Sequence, residues 1–285
     1  MKRLWQNETM QEFLEDKMAV TSAAVLLVLV ILAVYPQLVA PQNPYDLAAL
    51  DLADSYKAPG EGGLLGTDDQ GRDIFSAILF GLRISLFVGI SSTLLSAIIG
   101  LTMGLIAGYA GGWMEKGIMR LADIQLSLPV FLVALVIMAI WGQGIGKIII
   151  AISVCNWVYY ARPVRGMVLS EKQTDYVQAA VAGGRHPIQI MFSEIAPNVM
   201  APVIVIGTVR IANAILLEAT LSFLGVGVPI TKPSLGSLIS NGFEVLFSGY
   251  WWMSVFPGVV LVILVLAINL MGDRLRDVLN PRLKR

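Results

Sequence analysis

Long apolar stretches alternate with shorter polar segments along most of the 285-residue chain. A bilayer core about 30 Å thick needs about 20 apolar residues in an α-helix, and several windows reach that length. Strands of an outer-membrane barrel would alternate over about 10 residues, which these stretches do not. We predict an all-α integral membrane protein with six transmembrane helices, at about Met18–Val39, Ile84–Tyr109, Ile124–Trp141, Ile148–Tyr160, Val199–Leu224 and Trp252–Leu270.

The polar segments between these stretches suggest five parts. The N-terminal tail fits either a short amphipathic helix or a frayed end, and it shows no convincing signal-peptide cleavage site. The expected parts are a tail at 1–17, a first span at 18–39, a soluble loop at 40–82, a five-helix core at 83–272 with a polar loop at 162–197, and a tail at 273–285.

Local signals refine these boundaries. Thr67 followed by Gln70 is typical of a helix start, with Thr67 as the N-cap. Glu115 and Asp123 lie in a polar stretch that we interpret as a short loop before the third span. Pro129 is expected to break that span.

The charges are few, and only their positions are informative. Charged residues make up 14% of the chain, against about 25% in an average soluble domain, and the formal net charge is zero. No basic field therefore favours nucleic acid as a partner. The single cysteine, Cys155, lies in an apolar run and is interpreted as a small buried hydrophobe.

Basic residues concentrate on one side of the predicted topology. Because positive residues favour the cytoplasmic side, both termini and the 162–197 loop are expected in the cytoplasm and the acidic 40–82 loop outside. The cytoplasmic set is Lys2, Arg3, Lys17, Lys116, Arg120, Arg162, Arg165, Lys172, Arg185, Arg274, Arg276, Arg282, Lys284 and Arg285, and the outer set is Lys57, Arg72, Arg83, Lys147 and Lys232.

A polar segment from Asp175 to Pro197 stands between two apolar spans. A segment of this composition must lie in water, and its Ala, Gly and Pro residues predict two short helices joined at Gly183 and Gly184. We interpret it as a docking element for a partner outside the membrane.

Four glycines recur at intervals of four residues, at Gly100, Gly104, Gly108 and Gly112. In lipid, such a smooth helix face allows another backbone to approach closely. We therefore expect this helix at the centre of the bundle, in a packing role rather than along a substrate path.

Two charges, Arg210 and Glu218, lie well inside a predicted span. On one helix they are about 12 Å and about 80° apart, so they cannot pair with each other. Either they line or gate a passage, together with Asn213, or they pair with other helices or subunits.

No pattern for catalysis or metal binding is found. The Gly142–Lys147 segment lacks the P-loop spacing, because Ile148 follows the lysine where Ser or Thr is required. His186 is the sole histidine and is interpreted as a surface residue. We expect no catalytic residue, no metal site and no cofactor bound by this chain.

Several motifs carry a resemblance to a known family. Gln178-Ala179-Ala180, Gly184 and Pro197 resemble the EAA signature of ABC importer permeases, with Gln178 where Glu is usual and Glu194 where Ile is common. The chain is further similar to the C-type subunit of the dipeptide/oligopeptide/nickel permease family, over Leu65–Asp73, Glu218–Gly225, Phe256–Gly258 and Asn269–Asp277.

This resemblance implies a type I ABC importer (MetI-like) permease fold in a bacterial or archaeal cytoplasmic membrane. The implied partners are a second homologous permease, two cytoplasmic ATPases that bind ATP and Mg²⁺, an external solute-binding protein and membrane lipid. The implied coupling helix is about Arg185–Ser193. ATPase-coupling residues would be Gln178, Ala179, Ala180, Gly184, Arg185, His186, Pro187, Ile188, Met191, Phe192 and Pro197, and binding-protein contacts would be Asp68, Asp69, Arg72 and Asp73.

The expected function is therefore half of an ATP-driven pathway for di- and oligopeptides, without catalysis in this chain. The same architecture could instead import a nickel chelate, glutathione or an opine-like or sugar solute. A self-sufficient secondary transporter would favour repeated halves and several membrane carboxylates, which are not found. A receptor-like scaffold without transport is the third alternative.

Overall fold

The computed structural model describes residues 16–44, 51–229 and 231–279. Those ranges form helices and connecting loops, with an isolated bridge between Thr67 and Asp73 and no strand. The expected amphipathic helix of the N-terminal tail and the last basic residues lie outside them. The helices are α1 (Lys17–Val34), α2 (Pro36–Val39), α3 (Ile74–Ala110), α4 (Gly112–Ser127), α5 (Val130–Trp141), α6 (Ile145–Asn156), α7 (Val158–Glu171), α8 (Asp175–Ala182), α9 (Pro187–Gln189), α10 (Ala196–Phe223), α11 (Leu235–Glu244) and α12 (Trp252–Leu279).

Four helices in the described ranges are long and apolar enough to cross a membrane: α1, α3, α12 and the continuous helix Pro187–Phe223. The pair α4 and α5 adds a fifth if it counts as one span, although it bends by 93°. The predicted fourth span corresponds to α6, an apolar helix of only 12 residues, followed by α7. The number of six spans therefore stays a prediction. The first span was predicted too long, because its helix ends at Val34 before Pro36.

The long helix α3 begins at Ile74, so the loop before it ends at Asp73 rather than at residue 82. Asp73 is the N-cap, and its carboxylate accepts a hydrogen bond from the Ser76 backbone N–H at 2.8 Å. The predicted start at Thr67 was wrong because the Thr67 hydroxyl bonds the 51–73 loop instead, donating to the Asp54 carbonyl.

The stretch predicted as a loop at Glu115 to Asp123 is part of α4, so that prediction was wrong. Its apolar residues Ile118, Met119 and Leu126 pack against α7, while its carboxylates form ion pairs with Arg162 and Arg165. This pairing explains a helix in a polar stretch. The break at Pro129 is present, since Leu128 before it is extended and the helices on either side bend sharply.

Helix α3 lies at the centre of the fold and contacts α1, α6, α7 and α10. A Cβ atom added at Gly104 would lie 2.6 Å from Cβ of Val164, and one added at Gly108 would lie 2.6 Å from Cβ of Val168. Gly100 faces the Trp157 carbonyl in the same way. Gly112 does not belong to this face: it starts α4 with φ +59 and a Cβ there would meet nothing within 4 Å.

The 51–73 loop packs on the start of α12. The Trp252 indole N–H donates to the Thr67 carbonyl at 3.3 Å, and the rings of Tyr56 and Tyr250 stack with centroids 4.3 Å apart. The loop is therefore held against the helix bundle rather than free in solvent.

Candidate functional site

The segment Asp175–Pro197 contains the predicted turn at Gly183 and Gly184, but the part after this turn differs from the prediction. Helix α8 ends at Ala182, and Gly184 follows in the left-handed region at φ +73, where glycine carries no steric penalty. The sequence predicts a separate second short helix, and this prediction was wrong. Pro187–Gln189 continues through a π-helical turn at Ile190–Ile195 into α10.

The surface of this segment presents apolar side chains to solvent. Ile188 and Phe192 are 56% and 52% exposed, whereas Ile190 and Ile195 on the opposite side are buried. The buried pair packs against residues of α7 and α8. We call the stretch Arg185–Ser193, which is exposed except at Ile190 and Met191, the coupling segment, after the role that the family resemblance implies for it. Exposed apolar side chains on a segment that is anchored from behind are typical of a docking surface.

Polar bonds hold the coupling segment in place. Arg185 and Glu194 form an ion pair, and the Asn198 side chain donates to the Tyr176 hydroxyl at 2.7 Å and to the Glu194 carbonyl at 2.9 Å. The Glu194 side chain, at a position where the EAA signature commonly has Ile, therefore links the start of the coupling segment to the residue that follows its end, whereas the Asn198 bond uses the Glu194 backbone carbonyl, which any residue offers.

Two residues of α8 attach it to the preceding helix. The Gln178 amide donates to the Lys172 carbonyl at 2.8 Å, which a glutamate at this position cannot do. Tyr176 donates to Glu171, and desolvation together with that hydrogen bond raises the pKa of the Tyr176 phenol. The phenol therefore stays neutral and able to donate at physiological pH.

A polar face occurs farther along α10, at the middle of the helix. The Arg210 guanidinium lies over the Tyr159 ring, with its central carbon 3.6 Å from the ring centroid. Asn213 and Thr220 share a cavity of about 340 Å³ with these two residues and with Asn156. Arg210 also lines a second cavity, of about 650 Å³, that extends along α10 past Pro202 to Asn198.

This polar face cannot lie against lipid at low cost. An arginine at a helix centre costs roughly 2.5–3.5 kcal/mol on insertion scales, so such a residue faces protein or water. Arg210 is half-buried and Asn213 is exposed in the isolated chain. The face is therefore suited to a water-filled passage or to contact with another subunit.

Glu218 does not belong to this face, contrary to the passage interpretation. Its side chain is 0% exposed, and its carboxylate accepts hydrogen bonds from the hydroxyls of Ser85 at 2.8 Å and Ser222 at 2.7 Å. At about 100° per residue, Glu218 points about 140° away from Asn213. It connects α10 to α3 inside the bundle.

Most of the residues expected to contact a binding protein have side chains that point into the 51–73 loop rather than to solvent. The Asp68 carboxylate accepts from the backbone N–H groups of Gln70 and Arg72, both at 2.9 Å, and pairs with the Arg72 side chain at 2.6 Å. Asp68 and Asp73 are buried, with 6% and 8% of their surface exposed. Of the four predicted residues only Asp69 is exposed, so Asp68, Arg72 and Asp73 shape the loop rather than offer a contact surface.

Sequence reasoning missed Ser85, Asn156 and Tyr159. All three are polar residues inside apolar runs, and that signal could have found them. The spacing of Arg210, Asn213 and Thr220 on α10 also marks one helix face that excludes Glu218.

Two family models match the chain. Residues 100–285 match the family described as binding-protein-dependent transport system inner membrane component. The chain belongs to this family. Residues 3–59 match the N-terminal TM domain of oligopeptide transport permease C.

Curated relatives of this family member match over nearly its whole length. It is 36% identical to the dipeptide transport system permease protein DppC of Bacillus subtilis, over 95% of this chain and 84% of that protein. It is 38% identical to the di/tripeptide transport system permease protein DppC of Pseudomonas aeruginosa, over 100% of this chain and 93% of that protein.

A solved structure matches the fold. A chain in the structure of inward-facing conformations of the MetNI methionine ABC transporter aligns with a TM-score of 0.58 and 21% identity, over 72% of this chain and 97% of that chain. The expected type I importer permease fold is confirmed. The resemblance to permeases of the dipeptide and oligopeptide family is confirmed as well.

Proposed function

We propose that this chain is one of two permease subunits in a binding-protein-dependent ABC importer for di- and oligopeptides. The two curated relatives described above are peptide permeases, which favours peptides over nickel chelates or sugars. ATP and Mg²⁺ would bind to two partner ATPases, and an external binding protein would deliver the peptide. The second permease would cover the polar face of α10.

The observation that carries this proposal is the continuity between the coupling segment and the polar face. Ile188 and Phe192 lie on the same unbroken helix, Pro187–Phe223, as Arg210 and Asn213. A protein that closes on the coupling segment can thereby move the residues that would line the passage. The chain thus converts movement of a partner into exposure of a passage.

The first test is reconstitution with the candidate partners. The complete complex in proteoliposomes should take up a labelled dipeptide only when ATP and the binding protein are both present. Uptake by this chain alone without ATP would refute the proposal and favour a secondary transporter. Absence of any uptake by the complete complex would favour a scaffold.

The second test addresses the docking surface. The double variant Ile188→Ser, Phe192→Ser should lower ATPase co-purification by about tenfold, because two half-exposed apolar contacts are lost. Both side chains point to solvent, so the permease itself should fold normally. Leu52→Ser, which alters a 75% exposed apolar residue on the 51–73 loop, is the matched control. Unchanged co-purification of the double variant would refute this docking site.

The orientation of the chain in the membrane can be tested separately. In a Cys155→Ala background, single cysteines at Arg185 and Leu52 should react with a membrane-impermeant thiol reagent from opposite sides of the membrane. We propose that Arg185 is on the cytoplasmic side, as the distribution of basic residues favours. Labelling of both from one side would refute this topology.

A further inference from the structure

The Arg210 guanidinium contacts the Tyr159 ring through one flat face. Its N–H donors, which lie at the edge of the group, have no hydrogen-bond partner among the described residues. Its carbon lies 3.6 Å from the Tyr159 ring centroid, so the planar group stacks on the ring. Stacking occupies the flat face, whereas the N–H donors point outward in the plane of the group. The stack therefore fixes the position of a cation without satisfying its donors.

No acidic partner for Arg210 occurs within residues 16–44, 51–229 and 231–279. The ion pairs in these ranges involve other arginines and lysines, and the carboxylate on the same helix, Glu218, is buried among serines. A charged group at mid-membrane with unsatisfied donors calls for an anion or for water. An anion at this site must therefore come from outside the described residues.

The surroundings of Arg210 combine polar and apolar groups, as a peptide with varied side chains requires. The cavity of about 340 Å³ next to it presents the polar side chains of Asn156, Asn213 and Thr220 beside the apolar ones of Val130, Phe131, Leu216 and Leu217. Arg210 stands at the boundary between this cavity and the larger one of about 650 Å³, because it lines both. The two cavities therefore meet at the guanidinium.

We propose that Arg210 binds the terminal carboxylate of the peptide during its passage. This inference rests on the proposed function as a peptide permease. Every linear peptide with a free C-terminus carries a carboxylate, and a guanidinium fork matches that group through paired N–H···O bonds. Asn156 and Asn213 offer donors and acceptors to the peptide backbone, which would allow different side chains. Tyr159 positions the guanidinium by stacking.

The test compares two substrates that differ only in this carboxylate. The complete importer in proteoliposomes is given dialanine or its C-terminal amide, each at a concentration that saturates the binding protein. The variants are Arg210→Gln and Arg210→Lys, with Arg83→Gln as a matched control that removes an exposed charge from α3. Uptake is measured for both substrates in every protein.

Arg210→Gln should reduce uptake of dialanine by about 10-fold to about 100-fold, because one charged hydrogen-bond partner is lost. Uptake of the amide should change by less than about twofold, and Arg210→Lys should keep most of the preference for the free acid. Arg83→Gln should leave the ratio between the substrates unchanged.

The outcomes separate this inference from the function on which it rests. If the unmodified importer takes up neither peptide with ATP, the proposed function fails and this inference fails with it. If it imports both but Arg210→Gln slows them equally, Arg210 has a structural or intersubunit role and the inference alone is refuted. It is equally refuted if Arg210→Gln slows neither.

Discussion

Replacing Gly104 by alanine should separate the two central helices α3 and α7. The new Cβ would lie 2.6 Å from Cβ of Val164 and 2.7 Å from the Ala161 carbonyl oxygen. Carbon atoms in normal contact are about 3.5–4.0 Å apart, so the helices must move apart by roughly 1 Å. Neither obstacle can rotate away, because one is a backbone oxygen and the other is a Cβ atom, whose position the backbone fixes.

The expected cost follows from two opposing effects. Overpacking of a tight core costs typically about 1–3 kcal/mol, whereas alanine in place of glycine in a helix gains about 1 kcal/mol. A net loss of about 0–2 kcal/mol is expected, which is about 1–3 kcal/mol below a glycine-to-alanine change without overpacking. For a chain of this size, such a loss of unfolding free energy corresponds to a fall of at most a few degrees in the apparent Tm.

The matched control is Gly166→Ala. Gly166 lies inside α7, and a Cβ added there meets nothing within 4 Å. This variant should gain helix propensity without overpacking, so its apparent Tm should stay equal or rise. The measurement is thermal unfolding of the purified chain in detergent, followed by loss of the monodisperse peak. If Gly104→Ala is as stable as Gly166→Ala, the close approach of α3 and α7 is refuted.

Two further substitutions test local structure. Asp73→Ala removes the N-cap of α3 and should lower the free energy of unfolding by about 1 kcal/mol in the same assay. Asp73→Asn should retain most of the stability, because asparagine caps a helix as well as aspartate does. An equal loss in both variants would contradict the capping role. Gln178→Glu loses the side-chain donor to the Lys172 carbonyl and should raise the rate of backbone hydrogen exchange around residues 172–178 several-fold. The control Gln189→Glu changes the charge in the same way at an exposed residue and should leave this rate unchanged. Unchanged exchange in Gln178→Glu would show that the bond is dispensable.

The parts of the fold that follow from local chemistry could be predicted. Apolar length identified the long helices, and Pro129 identified the break between α4 and α5, because a proline acts on its immediate neighbours. The glycine spacing on α3 likewise indicated close packing. The partner, α7, could not be identified from the spacing, because the pattern describes one surface only.

The errors arose where tertiary contacts override local signals. Thr67 has the sequence of an N-cap, but its hydroxyl bonds Asp54 thirteen residues away. The polar stretch of α4 is helical because Arg162 and Arg165 on α7 neutralise its carboxylates. Glu218 was grouped with Arg210 because both are charged, yet the serines that satisfy it come partly from α3. Apart from Ser222, none of these partners is near in sequence.

The π-helical turn at Ile190–Ile195 has a mechanical consequence. It bonds the Ala196 N–H to the Met191 carbonyl, and the helix Pro187–Phe223 stays continuous although Pro197 and Pro202 lie inside it. Ile188 and Arg210 are 22 positions apart, about 33 Å along the axis. If the helix tilts by about 10° at the Ile188 end, it sweeps Arg210 through about 6 Å, which is comparable to the width of a peptide backbone. A continuous helix thus converts a small rotation at its end into a displacement of several ångströms at Arg210.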